Sequence, residues 1–454
     1  MTTVERPAVL EIRDPADDRL VGSVKVATPG DVETAIATAK RRASAWAVTP
    51  AAERGIALKD AAKSLRERAG ELAVLIESET GKPRDEAEEG VLAGAGTLEQ
   101  YAELGPVHRG RSLLGDPSAT DLMVPEPRGV VVALTPWNDP VAVACGLLGA
   151  AVVTGNTVVH KPSERCPHTG AWLGNVLSEA LPEGMLQTVQ GDGSVGAELA
   201  AHLDVDVIAH VGSTVAGRSI AASAARTGAK ALLENGGNDP LVVDAGVDPV
   251  WAAEQAATGA FANSGQICVS VERILVHQDV ADAFLTALVA EAGRRRLAPL
   301  VDRRHREGVH AQVAEAIAQG ADPLVGGVVP DGPGAFYPAT VLTGCTSGMR
   351  ILREETFGPV APVTVVADFE QGLGQAADGE HGLAATVLTS SMAHAQRAWR
   401  ELPVGTVKIN NVFGGAPGGS AHPRGASGSG YGYGPELLDE MTQTKVVHLA
   451  PPGP

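Results

Sequence analysis

Between residues 129 and 243 the chain alternates short β-branched runs with longer Ala- and Leu-rich stretches. "GVVVALTP" (129–136), "TVVHKP" (157–162), "MLQTVQ" (185–190), "DVIAHVG" (206–212) and "LLENGGNDPLVV" (232–243) read as strands. Helical stretches such as "TGAWLGNVLSEAL" (169–181) lie between them. This alternation predicts an α/β fold built on a parallel sheet, because parallel strands need crossover helices. A second strand–helix series follows residue 268, with "VERILVHQ" (271–278) leading into "DVADAFLTALVAEAGRR" (279–295). Gly and Pro cluster at 412–434, a long loop before a last strand at 445–450.

One segment imitates a membrane span. Residues 140–159 carry no charge over twenty positions, which meets the length criterion. The trio Thr154, Gly155 and Asn156 interrupts it, so it reads as a buried helix, a turn and a strand. Aromatic residues make up only 3% of the 454, so Ala, Val and Leu must fill the core. The formal charge of −18 is unlike the basic footprint of a nucleic-acid binder and suits a protein handling small molecules. Four scattered cysteines (Cys145, Cys166, Cys268, Cys345) have neither disulfide-framework nor metal-ligand spacing. With a charged N-terminus lacking an apolar signal core, this points to the cytoplasm.

Two glycine-rich turns compete as phosphate sites. "GDGSVG" (191–196) is a literal G-x-G-x-x-G. The carboxylate expected about twenty residues on is missing, so it reads as a plain strand-to-helix turn. "GSTVAG" (212–217) is the better candidate. Gly212 and Gly217 allow close backbone approach, Ser213 and Thr214 can cap the following helix, and its positive end would face an anion.

Four polar stretches carry the chemistry. "TPWNDP" (135–140) supplies Asn138, "HKPSE" (160–164) Lys161 and Glu164, "LENGG" (233–237) Glu234, and "GQIC" (265–268) Cys268. The first three follow strands, where parallel α/β sheets bind ligands. Taken alone, Cys268 reads as a core residue, since free Cys is usually buried.

As a set, these motifs resemble the aldehyde dehydrogenase family. Cys268 in "FANSGQIC" is similar to its nucleophile motif, and Glu234 in "LENGG" to its general-base motif, 34 residues away. Asn138 matches the oxyanion-stabilising amide, and Thr135 and Trp137 of the same stretch go with the cofactor site. Lys161 and Glu164 match the residues holding the adenosine ribose. Gly212, Ser213 and Gly217 match the pyrophosphate turn, and Glu355 and Phe357 in "EETFGPV" (354–360) the nicotinamide end. "GTVKIN" (405–410) and "SGSGYGYG" (427–434) match C-terminal landmarks.

The resemblance implies a Rossmann-like nucleotide-binding domain (1–110 and 129–233) and an α/β catalytic domain (234–426). It adds a small β oligomerisation element (111–128 and 427–454) that builds a homodimer or homotetramer. It implies oxidation of a small aldehyde to an acid through a cysteine thiohemiacetal and thioester, with no metal. NAD is the expected cofactor, because Glu164 would repel a 2′-phosphate, and NADP is the second option. A free thiol is mostly protonated at neutral pH, so Cys268 is expected in an electropositive or donor-rich setting.

Departures from the family pattern cluster near the substrate end: Asp139, Leu147, Asn235, Asn238, His210-Val211, and a C-terminal loop with His422 and Arg424 in place of aromatics. They suggest a polar or functionalised aldehyde, with Arg424 either a carboxylate partner or a solvated loop residue. Ile267 and Val269 are read as small apolar walls beside the sulfur. Two alternatives stand: a CoA-acylating enzyme, against which Glu234 argues, and a silent scaffold, against which the intact Cys268, Glu234 and Asn138 argue.

Overall fold

The strand Val130–Leu134 is buried at every residue, because both of its faces are covered. Val131 and Ala133 enter one core with the helix Pro140–Val153, and Val130 and Val132 enter another with the helices Pro29–Ala47 and Gly193–Ala200. That period-two division is what a parallel sheet between helical layers requires. A computed structural model describes residues 8–414 and 422–452.

Among the described residues, Val130–Leu134 lies inside a six-stranded sheet. Its order is Gly428–Ser429, Lys230–Glu234, Val207–Val211, Val130–Leu134, Thr157–Lys161, Leu186–Thr188, all parallel except the first pair. A seven-stranded sheet follows the order Asp322–Val325, Thr340–Thr343, Val360–Val366, Val271–His277, Asp239–Val243, Ala384–Leu388, Thr406–Ile409. Its faces pack on Pro249–Phe261 and Gln278–Arg294 on one side, and on Phe369–Ala377 and Met392–Glu401 on the other. A three-stranded antiparallel sheet joins Thr442–Leu449, Thr120–Pro127 and Arg111–Leu113.

The stretch "LLENGGNDPLVV" is not one strand. It is the end of Lys230–Glu234 in one sheet and the start of Asp239–Val243 in the other. The intervening Asn235–Asn238 carries the chain between sheets, and the two-glycine break is the local reason. The apolar run at 140–159 is the helix Pro140–Val153, a turn and the strand Thr157–Lys161. Among the described residues no helix is long and apolar enough to cross a membrane. The Gly-rich stretch at 412–434 falls partly outside the described residues, at 415–421. Beyond it, Arg424–Gly425 and Gly428–Ser429 form short pairings, and the last strand begins earlier than expected, at Thr442.

Ser427 fastens this C-terminal segment to the crossing. It is fully buried; its Oγ donates to the Gly236 carbonyl (2.8 Å) and accepts from the Gly382 N–H (3.1 Å), while its carbonyl accepts from Asn235 N–H (2.9 Å). Ser427→Ala leaves a buried N–H without its partner, so urea unfolding should report a loss of about 1–3 kcal/mol. An unchanged midpoint would mean that the hydroxyl does not hold the crossing.

Candidate functional site

Lys161 and Glu234 each end a strand at the carboxyl edge of the six-stranded sheet, and Asn138 lies just beyond Leu134, whose strand is one of the two between theirs. Cys268 precedes Val271, so it sits at the amino edge of the other sheet. The candidate site therefore lies where the carboxyl edge of one sheet meets the amino edge of the next.

The cysteine loop is bent by three consecutive left-handed residues, Asn263 (φ 48°), Ser264 (φ 56°) and Gly265 (φ 75°). Such strain persists only where surroundings enforce it. Here Ser264 Oγ donates to the Ala298 carbonyl (2.7 Å), Gln266 Oε1 accepts from Val301 N–H (2.9 Å), and Ser270 Oγ donates to the Gly265 carbonyl (3.2 Å). Gly265 has no alternative: a Cβ there would stand 2.2 Å from the Gly358 carbonyl oxygen. Asn138 Nδ2 donates to the Gln266 carbonyl (3.1 Å), and Asn263 Nδ2 donates to the Asn138 carbonyl (3.4 Å). Asn138 is thus joined to the cysteine loop, with its second amide N–H free.

Cys145, Cys166 and Cys345 are buried, whereas Cys268, with Ile267 and Val269, is partly exposed. Of the electropositive or donor-rich setting expected, the charges around the sulfur do not supply the electropositive part. Burial, then the charges of Glu234, Asp239 and Glu355, push the thiol up to about 12, and Lys408 pulls the other way. Burial raises Glu234 to about 7. The thiol therefore rests protonated beside a carboxyl group poised near neutrality, the range suited to a general base.

Glu355 Oε1 accepts from Gly237 N–H (3.0 Å). A Cβ at Gly236 would meet the Glu355 carboxylate at 2.1 Å, and one at Gly237 would stand 2.6 Å from the Cys268 carbonyl oxygen. Phe357 packs edge-on against Trp137, ring centroids 5.5 Å apart, and His305 completes the cluster. His305, which sequence reasoning missed, also joins Phe357 through its Nε2 and the Phe357 carbonyl (2.7 Å). Glu272 was missed as well. It is 3% exposed and accepts from Thr356 N–H (2.9 Å), Phe357 N–H (2.7 Å) and Asn238 Nδ2 (3.2 Å). It fixes the backbone that carries Glu355 and Phe357. Its only sequence signal was a charge inside a buried-strand pattern, "VERILV".

A cleft of about 490 Å³ gathers Thr135, Trp137, Lys161, Glu164, Gly212 and Ser213. Lys161 Nζ donates to the Pro162 carbonyl (2.9 Å) and lies 3.8 Å from Glu164. Thr135 Oγ1 is engaged with His160 Nε2 (2.9 Å). Gly217 is buried in the first turn of Thr214–Thr227, and a Cβ there would fall 1.9 Å from Asn235 Oδ1. Glu355 lines a second cleft of about 760 Å³ that shares Ser213 with the first. The "GDGSVG" turn behaves as a cap, with Asp192 accepting from Ser194 N–H (2.9 Å), yet Gly193 and Gly196 also line the smaller cleft.

The surroundings fit a dinucleotide. Around the Ser213 turn, His210 Nδ1 and Nε2, Thr214 Oγ1 and Asn235 Oδ1 are buried without hydrogen-bond partners among the described residues. A helix N-terminus ringed by such atoms suits a polar anion.

Several departures turn out to be structural. Leu147 is a core residue, 2% exposed, and lies away from both clefts. Asn238 braces Glu272 and the Glu354 carbonyl, and Asn235 Nδ2 donates to the Ala426 carbonyl. Asp139 pairs with Lys82 at 3.4 Å. Arg424 is exposed on a two-residue strand against His381–Gly382, and His422 packs edge-on against Tyr431.

Residues 3–447 match the model of the aldehyde dehydrogenase family. An α-ketoglutarate semialdehyde dehydrogenase from Haloferax volcanii is 34% identical over 90% of this chain and 88% of its own length. A lactaldehyde dehydrogenase from Escherichia coli is 32% identical over 97% of this chain and 95% of its own. The crystal structure of betaine aldehyde dehydrogenase from Staphylococcus aureus, in complex with NAD+, superimposes with a TM-score of 0.94 at 30% identity, covering 97% of this chain and 91% of that one. The chain belongs to the aldehyde dehydrogenase family.

Proposed function

We propose that this protein oxidises a polar aldehyde to its carboxylic acid with NAD+, using Cys268 as nucleophile, Glu234 as base and Asn138 as oxyanion donor. The observation that carries the reading is the strained loop at 263–265. It presents a partly exposed thiol on a loop that the Asn138 amide joins at the Gln266 carbonyl, within the electrostatic reach of a carboxyl group raised to about 7.

The thiol gives up its proton to solvent as sulfur bonds to the aldehyde carbon. The oxygen becomes an oxyanion, which the free N–H of Asn138 Nδ2 and the backbone N–H of Cys268 receive. When bound, the dinucleotide supplies the acceptor for the hydride that the carbon gives up. Cys268 is then a thioester. Glu234 deprotonates a water, which attacks the acyl carbon and releases the acid and the thiolate. Lys161 and Glu164 would hold the adenosine ribose, Thr135 and Trp137 the wall beside it, and Gly212, Ser213 and Gly217 the pyrophosphate. Glu355 and Phe357 would hold the nicotinamide end. Glu164 favours the free 2′-hydroxyl of NAD+, and Arg304, on the same cleft, is the cation that would accommodate NADP+.

The substrate reading rests on Asp139 and Lys82, an ion pair adjoining Asn138, and on relatives named for lactaldehyde, α-ketoglutarate semialdehyde and betaine aldehyde. We assign residues 1–110 with 129–233 to dinucleotide binding, 234–426 to catalysis, and 111–128 with 427–454 to assembly. Leu113, Leu114, Val124, Val446 and Leu449 are exposed on or beside the three-stranded sheet, and an apolar surface of this kind suits a homodimer or homotetramer contact. The four free cysteines fit a cytoplasmic enzyme.

Three outcomes are expected. With NAD+, an aldehyde panel and no CoA, NADH should form, fastest with hydroxylated or charged aldehydes, and Cys268→Ala should abolish it. Dependence on CoA, silence with every aldehyde, or preference for long alkyl chains would contradict the respective part of the reading. Steady-state turnover should fall as pH drops through about 7, where Glu234 gains its proton. Glu234→Gln should lose that limb, keep an NADH burst and slow steady-state release by about 10²–10⁴-fold; an unaltered pH profile would remove Glu234 from the role. Val446→Glu, at a position 67% exposed in the isolated chain, should lower the mass measured by light scattering, and an unchanged mass would exclude that face from assembly.

A further inference from the structure

His210 stands where this family pattern carries no polar side chain, and the known motifs give it no task. Along the strand Val207–Val211, Ile208 packs with Val195, Leu199, Ile220 and Ala224, between the helices Gly193–Ala200 and Thr214–Thr227. Two residues on, His210 faces the same side. There the core gives way to the 490 Å³ cleft, which His210 lines with Gly193, Gly196, Ala216 and Ser219. These small residues leave a slot between the two helices, and His210 forms its floor.

The imidazole is 8% exposed, and neither ring nitrogen has a well-formed hydrogen bond among the described residues. It lies directly beneath the phosphate turn: a Cβ on Gly212 would stand 2.7 Å from its Cε1 and 3.0 Å from its Nε2. Burial draws its pKa down to about 4, against a lesser upward pull from a poorly aligned hydrogen bond to the Ser213 backbone, so at most one ring nitrogen is even partly served. At neutral pH the ring is therefore uncharged and offers one N–H donor and one lone pair. A buried ring whose nitrogens lack well-formed hydrogen bonds destabilises the folded chain, so its retention here is explained by a ligand that supplies the partner.

We propose that His210 is a further cofactor-binding residue, hydrogen-bonding the adenosine monophosphate half of the dinucleotide from the floor of the slot. The inference rests on the reading of this cleft as the dinucleotide site. It gives the turn at Ser213 a neutral side-chain partner in addition to its backbone N–H groups.

Calorimetric titration of the full-length protein with AMP, NAD+ and nicotinamide mononucleotide tests it without any turnover. His210→Phe keeps the ring volume and removes both polar atoms. AMP and NAD+ should bind about three- to tenfold more weakly, the worth of one neutral hydrogen bond. Nicotinamide mononucleotide should be unaffected, and His210→Gln should restore part of the loss. The melting temperature of the ligand-free Phe variant should rise, because an unpartnered polar group has gone; a merely structural imidazole would give the reverse. AMP binding to the Phe variant at wild-type affinity would overturn the role of His210 while leaving the cleft assignment intact. Failure of AMP to bind the wild type would overturn both, whatever the NADH assay reports. Should the Phe variant not fold, His210→Leu serves the same comparison.

Discussion

The four-residue crossing Asn235–Asn238 is the constraint on which the candidate site depends. It carries the chain from the carboxyl edge of one parallel sheet to the amino end of a strand in another. Backbone and side-chain groups from distant parts of the sequence satisfy its backbone. Glu355 accepts from Gly237, while Ser427 serves Gly236 and Asn235. Because Gly236 and Gly237 carry no Cβ, the Glu355 carboxylate and the Cys268 backbone can close on the crossing. The proposed base, nucleophile and ribose ligand are thereby gathered around one short piece of backbone, with Glu234 at its start.

That gathering has an electrostatic consequence. Asp239, Glu272 and Glu355 all have pKa values raised first by burial, and Glu234 shares the effect. Burial first, and then Glu234, Asp239 and Glu355, disfavour a resting thiolate, so Cys268 is pushed up and not down. The sulfur rests as a thiol, whose proton leaves as it attacks the substrate, and Glu234 is left for the hydrolytic step. Lys408, with its own pKa lowered by burial, is the cation that partly offsets the acidic surroundings.

Much of this was legible in the sequence, for identifiable reasons. The strand–helix alternation predicted the parallel sheets because period-two burial and crossover helices leave direct marks on residue order. Cys268, Glu234 and Asn138 could be named as candidates because their residue types sit inside contiguous motifs. Glu272, His305 and Ser427 could not, since their importance comes from partners 84, 52 and 191 residues away. The division of "LLENGGNDPLVV" between two sheets was hidden for the same reason: both halves have strand patterns, and only pairing partners tell them apart. The electropositive half of the setting expected for Cys268 was not met, because net local charge depends on which carboxyls fold inward. Leu147 lay in the core, where its apolar helix "PVAVACGLLGAAVV" had already placed it.

The central claim is that Cys268 forms the covalent bond to the substrate carbon. It is tested most directly by acid-quenching the Glu234→Gln variant during turnover with NAD+ and a hydroxyaldehyde, then mapping peptides by mass spectrometry. The account predicts an acyl adduct on the peptide containing Cys268, absent when NAD+ is omitted and unquenched by CoA-free buffer alone. An unmodified Cys268 peptide alongside continuing NADH formation, or an adduct on Cys145, Cys166 or Cys345, would contradict it.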